Sequence, residues 1–105
     1  MQSDTKVRRC YVSGNYGQLH LRESGQLSEK TTIICLHMAP KSGRSFNKIM
    51  PYLGSDRLVI APDYPGYGES DHPPAEPNVT VENYAEAIGE VIATLNLKSV
   101  NLIGY

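Results

Sequence analysis

The residues of this sequence best able to move a proton or hold a metal are its three histidines and two cysteines. His20, His37 and His72 have ordinary ionisation near neutral pH, so each is a candidate base, acid or ligand. His37 directly follows the apolar run Thr32-Ile33-Ile34-Cys35-Leu36 and invites a reading as a general base. His20 alternates with Leu19 and Leu21 and so falls on the polar side of a strand, while His72 lies beside Pro73 and Pro74 in a loop. Both read as solvated. Cys10 and Cys35 sit in separate strand-like runs with no C-x-x-C pairing, which makes them buried free thiols rather than a disulfide or metal site.

Loops that could cradle phosphate are the next possibility, and their spacing excludes it. Gly66-Tyr67-Gly68-Glu69-Ser70-Asp71 has Asp71 where a dinucleotide loop needs its third glycine. Lys41-Ser42-Gly43-Arg44-Ser45 lacks the spacing of a P-loop, so Lys41 and Arg44 read as solvent-facing charges at a helix start. Asn78-Val79-Thr80 fits a glycosylation sequon but reads more simply as a loop entering a helix cap. Lys+Arg at 10 against Asp+Glu at 11, for a net charge of -1, leaves no basic stripe, so no nucleic-acid partner is expected. The charged start Met1 to Arg9 is followed by no apolar h-region, and no run of about eighteen apolar residues occurs. No membrane span is expected, and the default location is cytoplasmic.

The elements that must position these residues follow from periodicity. Val7 to Val12 and Gln18 to Glu23 flank Ser13-Gly14-Asn15-Tyr16-Gly17, where glycine and asparagine offer the positive φ of a turn, giving a β-hairpin. Alternation in its second arm places an antiparallel pair at a sheet edge with one wet face. Thr32 to Leu36 and Arg57 to Ala61 are continuous apolar runs of central strands. Between them Phe46, Ile49, Met50 and Leu53 recur at helical spacing over Ser45 to Leu53, with Pro51 weakening the last turn or tightening it to 3₁₀ form. Thr80 caps a second helix with Val81, Tyr84, Ala85, Ile88, Ile92 and Leu95 on one face, ending near Asn96. Ser99 to Gly104 reads as a further buried strand. The order β-β-β-α-β-α-β implies an α/β fold with a mostly parallel sheet, an antiparallel edge and right-handed crossovers. The last strand lacks a covering helix, so the unit reads as incomplete.

Three loops in this order carry a resemblance. Leu36-His37-Met38-Ala39-Pro40 resembles the His-Gly-x-Pro oxyanion loop of the α/β-hydrolase superfamily, with Met38 where the family usually has Gly. Ala61-Pro62-Asp63-Tyr64-Pro65-Gly66-Tyr67-Gly68-Glu69-Ser70-Asp71 is similar to its Pro-Asp-x-Pro-Gly-x-Gly-x-Ser-Asp turn. Val100-Asn101-Leu102-Ile103-Gly104-Tyr105 resembles the strand leading into the nucleophile elbow Gly-x-Ser-x-Gly, cut after its second residue. The likeness runs from the hairpin to Tyr105, less than half of a typical family domain, so residues 1–105 are read as the N-terminal portion of one such domain.

What the resemblance implies is a hydrolase of ester, amide or related bonds whose nucleophile, acid and catalytic histidine lie beyond Tyr105. Acyl transfer builds an oxyanion that needs preorganised N–H donors, and the backbone of Ala39 is the candidate donor, supported by His37, Met38 and Pro40. His37 then orders the loop rather than acting as base, Tyr67 lines the pocket, and Asp63 is structural, accepting from loop N–H groups. No metal or organic cofactor is implied. The partner expected is a small-molecule substrate of the longer protein, with the chain alone inactive and prone to self-association. The alternative is a non-catalytic member of the same fold that binds a small ligand, since fold does not fix function.

Overall fold

The computed structural model describes residues 6–38, 41–72 and 80–104. The strands are β1 (Arg8–Gly14), β2 (Gly17–Ser24), β3 (Thr32–Leu36), β4 (Val59–Pro62) and β5 (Val100–Gly104). The helices are α1 (Met50–Leu53), preceded by a 3₁₀ turn Gly43–Phe46, and α2 (Val81–Thr94). All five strands join one sheet in the order β1-β2-β4-β3-β5. β1 and β2 pair antiparallel, as do β2 and β4, whereas β3 lies parallel to both β4 and β5. The expected α/β order and the hairpin followed by a parallel core are both present.

The hairpin closes with Gly14 opposite Gly17. Gly17 supplies the positive φ of 93°, but Asn15 does not take the left-handed conformation expected of it. Its N–H instead donates to the Glu90 carboxylate on α2 at 3.1 Å, which ties the turn to the helix.

The continuous apolar runs are buried on both faces, as a central strand requires. Ile34 and Ile60 pack with Leu19, Leu21, Ala87, Ile88 and Val91 on the α2 face. Cys35, Val59 and Ala61 pack with Phe46 and Met50 on the other. Cys35 is a buried free thiol whose pKa is pushed up to about 11 by burial, which leaves it unreactive. Cys10 is only half-buried, because β1 is the sheet's outer strand.

Three local expectations are corrected. The single helix over Ser45 to Leu53 is instead a 3₁₀ turn capped by the Ser42 hydroxyl, followed by one α-helical turn. Pro51 starts that second turn, where its missing N–H costs no hydrogen bond, rather than spoiling its end. β5, read as buried, is exposed along most of its length, with Leu102 59% and Ile103 37% accessible, because no described element covers it beyond β3. The buried face of α2 is rotated: Ala87, Ile88 and Val91 carry the contact, whereas Val81 and Ala85 are exposed. Val81, Ala85, Gly89 and Ile92 instead border an apolar groove of about 350 Å³, shared with Leu36, Val100 and Leu102.

The start of α2 follows its sequence signal. Thr80 Oγ1 accepts from the Asn83 N–H, and Asn83 Oδ1 accepts from the Thr80 N–H, a reciprocal capping box. Gly89 is the weak point of the helix by propensity, and among the described residues a Cβ there would meet no atom within 4 Å. Gly89→Ala is therefore expected to stabilise the fold by about 1 kcal/mol, the intrinsic helix difference between the two residues. A rise in the denaturation midpoint checks this, and a fall would contradict it.

Candidate functional site at the carboxyl ends of the strands

β3 and β4 run parallel, so the loops that follow them emerge together at one edge of the sheet. His37, the first residue after β3, is 2% exposed. Its Nε2 accepts from the Tyr64 N–H at 3.1 Å, so the proton resides on Nδ1, which donates to the Met38 carbonyl at 3.1 Å. The same carbonyl accepts from the Lys41 N–H at 2.7 Å. The imidazole thus braces the turn from both sides and has no nitrogen left for catalysis. Met38 is 45% exposed at the rim. Ala39, the expected oxyanion donor, and Pro40 lie outside the described residues.

Aromatic rings continue the brace. His37 and Tyr64 lie 4.0 Å apart, Tyr64 stacks on Tyr84 of α2 at 4.9 Å and 7°, and Tyr67 stands edge-on to His37 at 5.7 Å. The Tyr84 hydroxyl bonds the Tyr67 hydroxyl at 3.3 Å. That bond first, and burial second, push the Tyr84 pKa up to about 12. The expected site residues His37 and Tyr67 are therefore brought together, and Tyr84 joins them.

Burial holds the His37 pKa below its ordinary value, opposed by the Met38 carbonyl and the Asp63 charge. The unfolded chain then takes up a proton at higher pH than the folded one. The stability contributed by neutral His37 is full above about pH 6.5 and is lost as pH falls through the lower folded value. Moving from about pH 7.5 to about pH 5 should destabilise the wild type more than His37→Asn, which keeps a donor for Met38 but cannot titrate. Equal losses in denaturation midpoints would contradict the assignment.

Beneath the aromatic brace lies a polar centre built on Asp63, which is fully buried. Oδ1 accepts from the Gly43 N–H at 2.6 Å and from Arg22 Nη1 at 3.4 Å. Oδ2 accepts from the Glu69 N–H at 2.9 Å and meets His20 Nδ1 at 3.1 Å. Four donors fill the acceptor sites of an ionised carboxylate. The donors come so close because Gly43 and Gly68 carry no Cβ. One at Gly43 would lie 2.6 Å from the Ala61 carbonyl, and one at Gly68, whose φ is 52°, would collide with the Asp63 carboxylate. The expectation that Asp63 bonds loop N–H groups matches this geometry. Ser70 completes the centre: its hydroxyl donates to the Asp63 carbonyl at 2.8 Å and accepts from the His20 N–H at 2.8 Å.

The reading of His20 as solvated on an edge strand is overturned. β2 pairs with β1 on one side and β4 on the other, and His20 has no exposure. Its side of the sheet is covered by the loop that follows β4, 43 residues further along the chain, a cover that alternation within β2 cannot reveal. A buried His beside a buried Asp resembles a catalytic pair, but the far side of the ring excludes that use. Arg9 Nε donates to His20 Nε2 at 2.9 Å, so the nitrogen that would serve as base is already occupied. His72, Lys41 and Arg44 are exposed as expected. Among the described residues, no group of three or more His, Cys, Asp or Glu is placed to hold a metal ion.

Comparison with known proteins agrees with this architecture. Residues 31–105 match the family model described as alpha/beta hydrolase fold. An uncharacterised hydrolase of Saccharomyces cerevisiae is 32% identical over 77 residues, covering 73% of this chain and 26% of that protein. An uncharacterised hydrolase of Bacillus subtilis is 28% identical over 106 residues, covering 100% of this chain and 37% of its own length. The crystal structure of a haloalkane dehalogenase loop variant from Bradyrhizobium elkanii superposes with a TM-score of 0.85 at 25% identity, covering 94% of this chain and 32% of the other. Other solved structures that superpose on this fold include epoxide hydrolases and an N-acyl homoserine lactonase. The chain thus spans between 26% and 37% of the two curated relatives described.

Proposed function

This chain belongs to the α/β-hydrolase fold family, and on that premise we propose that it is the N-terminal portion of a hydrolase acting on ester, amide or related carbon–heteroatom bonds. The observation that carries the reading is one of register. β5 lies parallel to β3 with Gly104 level with Leu36, so the chain leaves β5 beside the turn that His37 braces. A nucleophile two positions after Gly104 would stand at the carboxyl ends of the strands, where open α/β sheets bind ligands.

In this reading the Ala39 N–H supplies one donor to the developing oxyanion. His37, Met38 and Pro40 hold that loop, and Tyr67 borders the substrate. The second donor, the nucleophile, the acid and the catalytic histidine come from chain beyond Tyr105, so acylation and deacylation need no metal or organic cofactor. The protein works in the cytoplasm on a small molecule, without nucleic-acid or membrane partners. The 105-residue polypeptide by itself self-associates through the exposed apolar side chains of β5.

The 105-residue polypeptide should therefore show no turnover of an activated ester above buffer, since the groups that divide acyl transfer into two easier steps are absent. A p-nitrophenyl ester assay on the purified chain is the test. Turnover abolished by a substitution within residues 6–104 would overturn the proposal.

A further inference from the structure

Neither nitrogen of His20 is free for proton transfer in the proposed reaction, yet its ring is fully buried and held at both. The Arg9 guanidinium can only donate, so His20 Nε2 is unprotonated and the ring proton sits on Nδ1, facing Asp63 Oδ2. The ring is thereby a donor of fixed direction. Among the described residues Oδ2 has one other partner, the Glu69 N–H in the loop after β4, while Oδ1 serves Arg22 and the Gly43 N–H. Gly43 begins the 3₁₀ turn that follows the His37 loop. Asp63 thus bonds both loops that border the site, and His20 is one of the four donors on its carboxylate.

We infer that His20 is a positioning residue for the strand-end site, acting through the Asp63 carboxylate as a fixed Nδ1–H donor. The inference rests on the reading of these loops as the hydrolase site. It draws on three side chains from separate strands or strand ends: Arg9 on β1, His20 on β2 and Asp63 after β4. Among the described residues, the pair's other titratable and charged neighbours include Arg22 on Oδ1, Tyr11, whose ring stands edge-on to His20 at 5.3 Å, and His37, whose ionisation feels the Asp63 charge.

The test is nuclear magnetic resonance on the ¹⁵N-labelled chain, dilute enough to stay monomeric. In the wild type, His20 should carry its proton on Nδ1 with Nε2 bare. His20→Asn can place an amide N–H near the Nδ1 position and should leave the Glu69 amide signal close to its wild-type place. His20→Leu removes the donor and should displace the Glu69 signal, more than that of Gly43 on the other oxygen, and speed Glu69 amide exchange about tenfold. An unmoved Glu69 signal in His20→Leu, or equal displacement in both variants, would overturn the inference. If His20→Leu does not fold, the wild-type tautomer and His20→Asn decide: a proton on Nε2, or a displaced Glu69 signal in His20→Asn, overturns it. None of these signals depends on turnover, so failure of the hydrolase reading would appear separately, in the ester assay.

Discussion

Asp63→Ala is expected to cost about 3–5 kcal/mol of folding stability. The cost comes from stranded donors. Removing the carboxylate leaves the Gly43 and Glu69 N–H groups, His20 Nδ1–H and the Arg22 guanidinium without their acceptor in a region closed to water. Arg22 is 8% exposed, so its charge cannot turn out to solvent at little cost. A domain stabilised by about 5–15 kcal/mol has little margin for such a loss. Asp63→Asn should do little better, because its amide group offers N–H to a position that already faces two donors. Urea denaturation followed by circular dichroism measures the effect, and a loss below about 1 kcal/mol would show that water replaces the carboxylate.

The second large effect concerns the longer protein that the proposed function requires. Substituting the residue two positions after Gly104 should lower kcat on an activated ester by a factor on the order of 10⁴ to 10⁶. The magnitude follows because the covalent step vanishes while substrate binding and the oxyanion donors persist. A nucleophile placed there has small residues around it by necessity: the strand-to-helix turn is too sharp for bulk, and Gly104 already stands on its near side. Steady-state kinetics of the wild type and variant decide it. A reduction under about tenfold would move the nucleophile elsewhere.

Much of the architecture was legible because burial on both faces of β3 and β4 writes itself as continuous apolar sequence, and helix α2 announces its start with Thr80. The loops were legible by their order after successive strands. What local pattern could not supply was which surface each element meets. His20 alternates like a wet residue, but a loop distant in sequence closes over it. On the apolar stripe of α2, Val81 and Ala85 border a groove shared with Val100 and Leu102 rather than the core. The helix expected over Ser45 to Leu53 divided because Ser42 caps a turn earlier than the apolar spacing begins and Pro51 starts a new one. Of the expected site residues, His37 and Tyr67 meet at the strand ends, whereas Ala39 and Pro40 lie outside the described residues.

The placement of the nucleophile just past β5 is the center of this account, and reading the transcript downstream of the Tyr105 codon tests it most directly. The expected next three residues are Ser-x-Gly, with Asp, Cys or His in the first place as lesser alternatives, followed later by an acid and then a histidine. A confirmed in-frame stop after Tyr105, or a continuation lacking glycine two residues past the nucleophile position, would contradict it.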